Sequence, residues 1–374
     1  MAVEPQVFDL LRLLAGNAGH LVTRDQIVDE VWNGRIVSES AISARIAAAR
    51  KAVGDDGKAQ RVIQTVARRG LRFVADLGER GEATPQTLSV TAAPSDTPPR
   101  TRFARAADAT TLAYSVTGSG PPLVLVPYFP SDMNTTWSIP TERKLCDVLS
   151  ANRTVVRFDH RGSGMSDRTV PEFSIEASAE DITAVMNAVG FDRFAVYAES
   201  GSCIIALTFA ARHPQRVTRL ALSGAYAEGR LLRGSPRAPE TDAIRTLLTE
   251  GFEVHGSAFL VAFSTAYFPE GPAEAVAHCA AKLQLGATQE LVLKDRDMIN
   301  SASVLGLLDR ITAPVLLFHG ARDGVHPLAQ AQKLAAGLPN AELIVYDSTN
   351  HVPLPGHPTW DRFVPDLMDF LSSD

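Results

Sequence analysis
Three side chains that could act together on one carbonyl group occur in a telling order. Val196-Tyr197-Ala198-Glu199-Ser200-Gly201-Ser202 is an apolar run ending in small-x-Ser-x-small, and the helical pattern Cys203–Arg212 follows it. A strand-to-helix turn that tight accepts only small flanking side chains, and it lifts the serine hydroxyl clear of the sheet. Further on, Pro314-Val-Leu-Leu-Phe-His-Gly-Ala-Arg-Asp323 is an apolar run leading into a loop with an acid. Tyr346-Asp-Ser-Thr-Asn-His351 ends a third run with a histidine. Nucleophile, orienting carboxylate and general base are the parts needed for acyl transfer. Alone, a loop Ser, Asp or His is usually structural or solvated; three in this order, each after an apolar strand, favour an assembled set. Asp347 is an alternative acid, but it stands close to His351 for that role. His160, His213, His319 and His326 read as structural, and Cys203 as a small packed apolar residue. Glu199 reads equally well as an exposed strand-end carboxylate or as a pocket-lining group.

These residues need a scaffold. Strand-like runs lie at Leu112–Val116, Leu123–Val126, Thr154–Phe158, Phe194–Ala198, Leu220–Ser223, Val315–Phe318 and Leu343–Tyr346. Helical patterns separate most of them, which predicts a mostly parallel sheet with helices on both faces. An antiparallel start is expected around the Ala107-Asp108-Ala109 turn. Residues 226–301 interrupt the alternation and read as a helical lid. Phe252, Phe259, Leu260, Phe263, Tyr267 and Phe268 give it an aromatic lining, and charge is thin between Phe252 and Tyr267. Such a lid predicts an apolar pocket, the alternative being plain lid-to-body packing.

The N-terminal text has a different grammar. Val7, Leu10, Leu11 and Leu14 make the stripe of an amphipathic helix over Pro5–Ala15, which Gly16 stops. Thr23-Arg-Asp-Gln26 is a capping-box pattern opening a second helix with Ile27, Val28, Val31 and Trp32 inward. A third runs from about Ser40 to Val53 with Ile42, Ile46, Ala49 and Val53 on one face. Val62–Val66 and Leu71–Val74 form a hairpin tipped by Ala67-Arg68-Arg69-Gly70. Helical geometry turns Ser40, Ala44, Ala47, Ala48 and Lys51 outward on the third helix. That face is poor in side chains able to read base edges, since alanine offers only contact with a thymine methyl.

Charge is divided in the same way. Residues 1–80 hold 12 basic and 10 acidic side chains; the rest of the chain holds 24 and 32. Arg45, Arg50, Lys51, Lys58, Arg61, Arg68, Arg69 and Arg72 crowd one short stretch against Asp55 and Asp56, a cationic surface suited to a polyanion. Between the two grammars, residues 77–100 are rich in Gly, Pro, Ser, Thr and Ala and read as a flexible linker of roughly 25 Å r.m.s. reach. The expected organisation is thus 1–76, linker 77–100, and 101–374. Three scattered cysteines suit a reducing compartment and argue against a disulfide framework or zinc site. The first residues predict no signal peptide, no run is long enough to span a membrane, and a cytoplasmic location is expected.

The motifs carry two resemblances. LVTRDQIVDEVW, VSESAISARIAAARKAVGDD and VIQTVARRGLRFV resemble the OmpR/PhoB class of winged-helix effector domains over about residues 4–75. The module is expected to work without a preceding receiver domain, so phosphorylation is not the expected input. That resemblance implies binding to double-stranded DNA: the third helix enters the major groove, with Ser40 on its outer face. Arg45, Arg50, Lys51, Arg68, Arg69 and Arg72 are expected on phosphates, where they position the domain without specifying sequence. Residues 102–372 resemble an α/β-hydrolase of the esterase and epoxide-hydrolase-like branch. Phe158-Asp-His-Arg-Gly-Ser-Gly-Met-Ser-Asp167 is similar to that superfamily's D-x-R-G-x-G-x-S segment. This resemblance implies that Ser200 attacks, His351 carries the proton and Asp323 orients His351. The oxyanion would rest on the N–H groups of Gly201 and Phe129, where Pro127-Tyr128-Phe129 replaces the family's His-Gly-x.

The fold expected is therefore an α/β-hydrolase with a helical lid plus a small N-terminal winged helix-turn-helix domain. The function expected is a DNA-binding, one-component regulator, acting as a homodimer, that senses and hydrolyses a small apolar ester, lactone or thioester without a cofactor or metal. A serine hydrolase with an accessory winged helix and a non-catalytic ligand receptor are the rival readings.

Overall fold
A computed structural model describes residues 5–17, 19–32, 37, 39–53, 55, 57–58, 60–66, 69–74, 98–233, 238–254 and 257–372. The chain divides into two compact units, Met1–Thr84 and Pro85–Asp374. The expected linker falls almost wholly outside the described residues.

In the first unit the elements are α1 (Pro5–Gly16), β1 (Leu21–Thr23), α2 (Arg24–Trp32), α3 (Glu39–Ala52), β2 (Ile63–Val66) and β3 (Gly70–Phe73). The Thr23 capping box forms: Thr23 N–H donates to Gln26 Oε1 (2.9 Å), and Gln26 N–H donates back to Thr23 Oγ1 (3.3 Å). Val7, Leu10, Leu14, Ile27, Val31, Trp32, Ile42, Ala49 and the hairpin's Ile63, Leu71 and Phe73 close one apolar core. β3 lies between β1 and β2, antiparallel to both. The Asp55 carboxylate is buried, and it accepts the backbone N–H groups of Arg61, Val62 and Ile63 at 2.9–3.0 Å, fixing the entry to the hairpin.

The second unit opens with β4 (Arg102–Arg105), β5 (Thr111–Thr117), β6 (Pro122–Val126), α4 (Met133–Trp137), α5 (Pro140–Ser150), β7 (Thr154–Phe158), α6 (Ile175–Val189), β8 (Phe194–Glu199), α7 (Ser202–Arg212) and β9 (Val217–Ser223). Four lid helices follow: α8 (Ala238–Gly251), α9 (Ala258–Thr265), α10 (Ala273–Gly286) and α11 (Gln289–Asn300). Then come β10 (Val315–Gly320), α12 (Leu328–Gly337), β11 (Ala341–Tyr346) and α13 (Pro358–Ser372). The sheet order is β11-β10-β9-β8-β6-β7-β5-β4. Only the β4–β5 and β5–β7 pairings are antiparallel. β8 is central and buried on both faces. Phe194, Val196 and Ala198 enter one core with α6 and α7; Ala195 and Tyr197 enter the other with α5 and α13. That two-sided burial explains why its sequence is an unbroken apolar run. Chain order reverses around β6, so a crevice opens beyond the C-terminal ends of β6 and β8, where ligands of open α/β sheets bind.

Candidate active site
Each predicted catalytic residue stands just beyond a strand end. Ser200 follows β8 directly, with φ +54°, a left-handed conformation rare for a side chain of its kind. Its N–H is held by the Ser223 carbonyl at 2.9 Å. In the next turn, Ser202 Oγ donates to the Glu199 carbonyl at 2.8 Å, so the residue in the usual glycine position braces the elbow. Cys203 is buried with its Sγ 3.6 Å from the Ser223 carbonyl, a packed position away from the cavity.

Asp323 follows β10, and His351 lies in the loop after β11. His351 Nδ1 is 2.8 Å from Asp323 Oδ2, and both are buried. Asp323 Oδ1 accepts the N–H groups of Val325 (2.7 Å) and His326 (3.2 Å), which aims the other oxygen at the imidazole. Burial works to raise the Asp323 carboxyl, but the charge and hydrogen bond of His351 outweigh it and hold it below the usual range. His351 Nε2 is buried and has no hydrogen-bond partner among the described residues. It opens on a cavity that Ser200 and Gly201 also line. Asp347, by contrast, is exposed and paired with Arg322, far from that role.

Around this pair sit two histidines. His319 Nε2 donates to the His326 carbonyl at 2.9 Å, and Arg233 Nη2 donates to His326 Nδ1 at 2.6 Å. Burial, then the nearby His351 and Arg233, keep His326 neutral. Its ring stacks on Tyr226 (3.9 Å) and meets His351 edge-on (5.2 Å). Gly224 has φ +61°, and a Cβ there would come within 2.7 Å of His351 Cε1. This glycine carries no motif of its own, so sequence reading passed over it.

Phe129 and Gly201 border the same cavity. Neither backbone N–H donates to a protein acceptor among the described residues. The DHRG segment, in contrast, is scaffold. Asp159 accepts the N–H groups of Met133 (2.7 Å) and Met165 (2.9 Å), and burial raises its carboxyl to about 6. Gly164 (φ +56°) leaves the room that Asp159 needs. Arg161 pairs with Asp181 through two bonds of 2.5 and 2.7 Å and with Asp108 at 2.8 Å.

The cavity beneath the lid is mostly apolar in its lining, as expected, but it also carries charge that the sequence did not suggest. Phe263, Tyr267 and Phe268 do line it, but Phe259 is 49% exposed and points elsewhere, while Phe252 and Leu260 pack inside the lid itself. Four charged residues reach the cavity: Glu199, Lys282, Asp295 and Arg296. Glu199 accepts from the Tyr197 hydroxyl at 2.5 Å; burial pushes its carboxyl up, against the pull of that hydrogen bond. Lys282 donates to Tyr128 Oη and to Glu142 Oε2 (3.1 Å). Sequence reading missed Lys282, Asp295 and Arg296 because they lie on α10 and α11, beyond the charge-poor stretch it weighed.

In the first unit, Ser40, Lys51 and Arg69 are exposed, as are Ala44 and Ala47, while Ala48 is half-buried against the core. Arg72 is half-buried on β3. Arg50 is spent internally, its guanidinium donating to the Ile63 carbonyl (2.9 Å) and Thr65 Oγ1 (2.7 Å). Arg45 Nε donates to Gln6 Oε1 at 3.0 Å. These two arginines tie α3 to the hairpin and to α1, a demand of packing that residue counts do not reveal. Arg68 lies outside the described residues.

Residues 121–358 match the α/β hydrolase fold family, and residues 1–73 match the family of transcriptional regulatory protein C-terminal domains. The chain belongs to the α/β hydrolase fold family, joined to a DNA-binding domain of the OmpR/PhoB type. RutD of Agrobacterium fabrum, provisionally named a carbamate hydrolase, is 29% identical over 234 residues, covering 60% of this chain and 85% of that protein. Among solved structures, the esterase EaEST from Exiguobacterium antarcticum superposes with a TM-score of 0.60 at 22% identity, over 72% of this chain and 99% of its own. Esterase RhEst1 from Rhodococcus sp. ECU1013 gives 0.56 at 26%, over 73% and 98%. No helix among the described residues is long and apolar enough to cross a membrane.

Proposed function
We propose that this chain is a one-component transcriptional regulator whose hydrolase domain binds, and hydrolyses, a small ester, lactone or thioester. The observation that carries the chemistry is the His351–Asp323 pair. Its oriented imidazole offers a buried, unpartnered Nε2 to the cavity that holds Ser200. In the reaction, His351 Nε2 takes the Ser200 proton as Oγ bonds to the carbonyl carbon. The oxyanion is received by the free N–H groups of Gly201 and Phe129. Collapse breaks the bond to the leaving group, which takes the proton from His351. Water, deprotonated by His351, then attacks the acyl-enzyme and regenerates Ser200. No cofactor enters these steps.

The regulatory half rests on the DNA-binding domain fused to that pocket, with Ser40, Lys51 and Arg69 exposed to meet DNA. A homodimer fits this role, because a weak reading face gains affinity from two linked half-sites. The test of the chemistry is a fluorophosphonate probe. Ser200 Oγ should displace fluoride and become phosphonylated, a mass gain lost in Ser200→Ala. A wild type that stays unlabelled and hydrolyses short activated esters only at background rates would overturn the hydrolytic reading.

A further inference from the structure
We propose that the cavity above Ser200 is built for a carbonyl substrate bearing its own carboxylate, held by the Arg296 guanidinium with the Tyr267 hydroxyl. The proposal deepens the hydrolase reading and rests on it. Arg296 lines the same cavity as Ser200 and His351. Among the described residues its guanidinium has one hydrogen bond, to Tyr267 Oη, and no carboxylate within ion-pair distance. A guanidinium carries five donors in a fork matched to a carboxylate, so most of its capacity is unspent. Its plane is steadied over the rings of Phe263 (5.0 Å) and Tyr267 (5.7 Å), which orients the fork before any ligand arrives. The other pocket cation, Lys282, is already matched by Glu142 and Tyr128.

Asp295, the neighbour of Arg296, does not take that place. It is buried and lines the cavity, yet makes no side-chain hydrogen bond among the described residues, and burial lifts its carboxyl to about 7 against the pull of Arg296. About half of it is therefore neutral near pH 7, so it offsets the arginine's charge only in part. A desolvated cation that is only partly matched is costly, and a ligand carboxylate in ion-pair contact relieves that cost. Tyr267 sets the spacing. Its carbonyl accepts the His351 N–H at 2.8 Å, and its ring meets the imidazole edge-on at 5.3 Å. The anion site is thus one residue away from the general base, which suits a short acyl chain ending in a carboxylate.

The full-length protein is assayed with two esters of equal chain length, 4-nitrophenyl hemiglutarate and 4-nitrophenyl pentanoate. We expect kcat/KM to favour the hemiglutarate by about tenfold or more, the factor a charge-assisted hydrogen bond supplies. Arg296→Gln should collapse that ratio through KM for the anionic ester, and Arg296→Lys should restore part of it. Equal ratios in wild type and Arg296→Gln, or a wild-type preference for pentanoate, would overturn the proposal while leaving the hydrolase reading intact. Calorimetry on Ser200→Ala with monomethyl glutarate separates the two ideas. Binding that Arg296→Gln abolishes supports the anion site even if neither ester is hydrolysed; absence of binding sinks it.

Discussion
His351 Nδ1 lies 2.8 Å from Asp323 Oδ2, so the one ring nitrogen left free to accept a proton is Nε2, and it faces the Ser200 cavity. The carboxylate therefore fixes a tautomer as well as a position. Asp323→Asn keeps the shape but presents an amide that can donate to Nδ1, which stabilises the wrong tautomer. We expect kcat to fall by about 10³-fold or more, with KM little changed and the thermal midpoint retained. Steady-state kinetics on an activated ester, beside a melting curve, check this; a loss under tenfold would contradict the assigned role.

Gly224 packs against the same imidazole. Gly224→Ala adds a methyl that must displace His351, at a positive φ which itself costs a side chain about 1–2 kcal/mol. The expected outcome is a lower melting temperature together with a kcat loss larger than the stability loss explains at the assay temperature. Unchanged kcat in the folded variant would show that the imidazole tolerates the shift.

Asp295 predicts a pH effect of definite sign. Its carboxyl is raised to about 7 in the fold by burial, above the ordinary value of 3.8. The folded chain then holds a proton that the unfolded chain has lost, so its contribution to stability is complete below pH 4 and is lost as pH rises through about 7. Neighbouring groups are Arg296 on the same helix, Tyr226, Tyr267, and Lys282, Glu199 and His351 across the cavity. Asp295→Asn should be more stable than wild type at pH 8, with the difference shrinking towards pH 4. Denaturant titrations at the two pH values test this, and a difference that grows on acidification would refute it.

In the DNA-binding domain, two arginines separate by environment. Arg69 is exposed, and Arg69→Ala should weaken binding to all duplexes alike, reducing the slope of log K against log salt by about 1. Arg50 holds Ile63 and Thr65, so Arg50→Ala should lower the melting temperature of the domain. Should Arg69→Ala relax preference at one base pair and leave the slope unchanged, the hairpin reads bases.

Strand ends and caps were legible because they depend on local pattern. The Thr23 box, the alternation of strands and helices, and the Ser200, Asp323, His351 order all lie in short stretches of text. The lid was legible as an insertion but not as a surface: helical spacing alone does not tell which side of α10 or α11 meets the cavity. Lys282 and Arg296 therefore emerged only from packing. The same holds for Arg45 and Arg50, whose charge suggested phosphates while their geometry engages Gln6, Ile63 and Thr65. Glu199, open in sequence, is a cavity group because β8 ends beneath the lid.

The central claim is that a ligand in the hydrolase cavity changes the affinity for DNA. A ligand shifts that affinity only as far as it distinguishes the DNA-competent arrangement from others. The direct measurement uses full-length Ser200→Ala protein and a duplex selected by the wild type from a random library. The duplex is titrated with and without an ester whose occupancy of the cavity calorimetry has verified. We predict a change of about 5- to 150-fold in DNA affinity, the usual span of coupling between sites. Equal affinities in the two titrations would contradict the sensor and leave a hydrolase merely tethered to a DNA-binding domain.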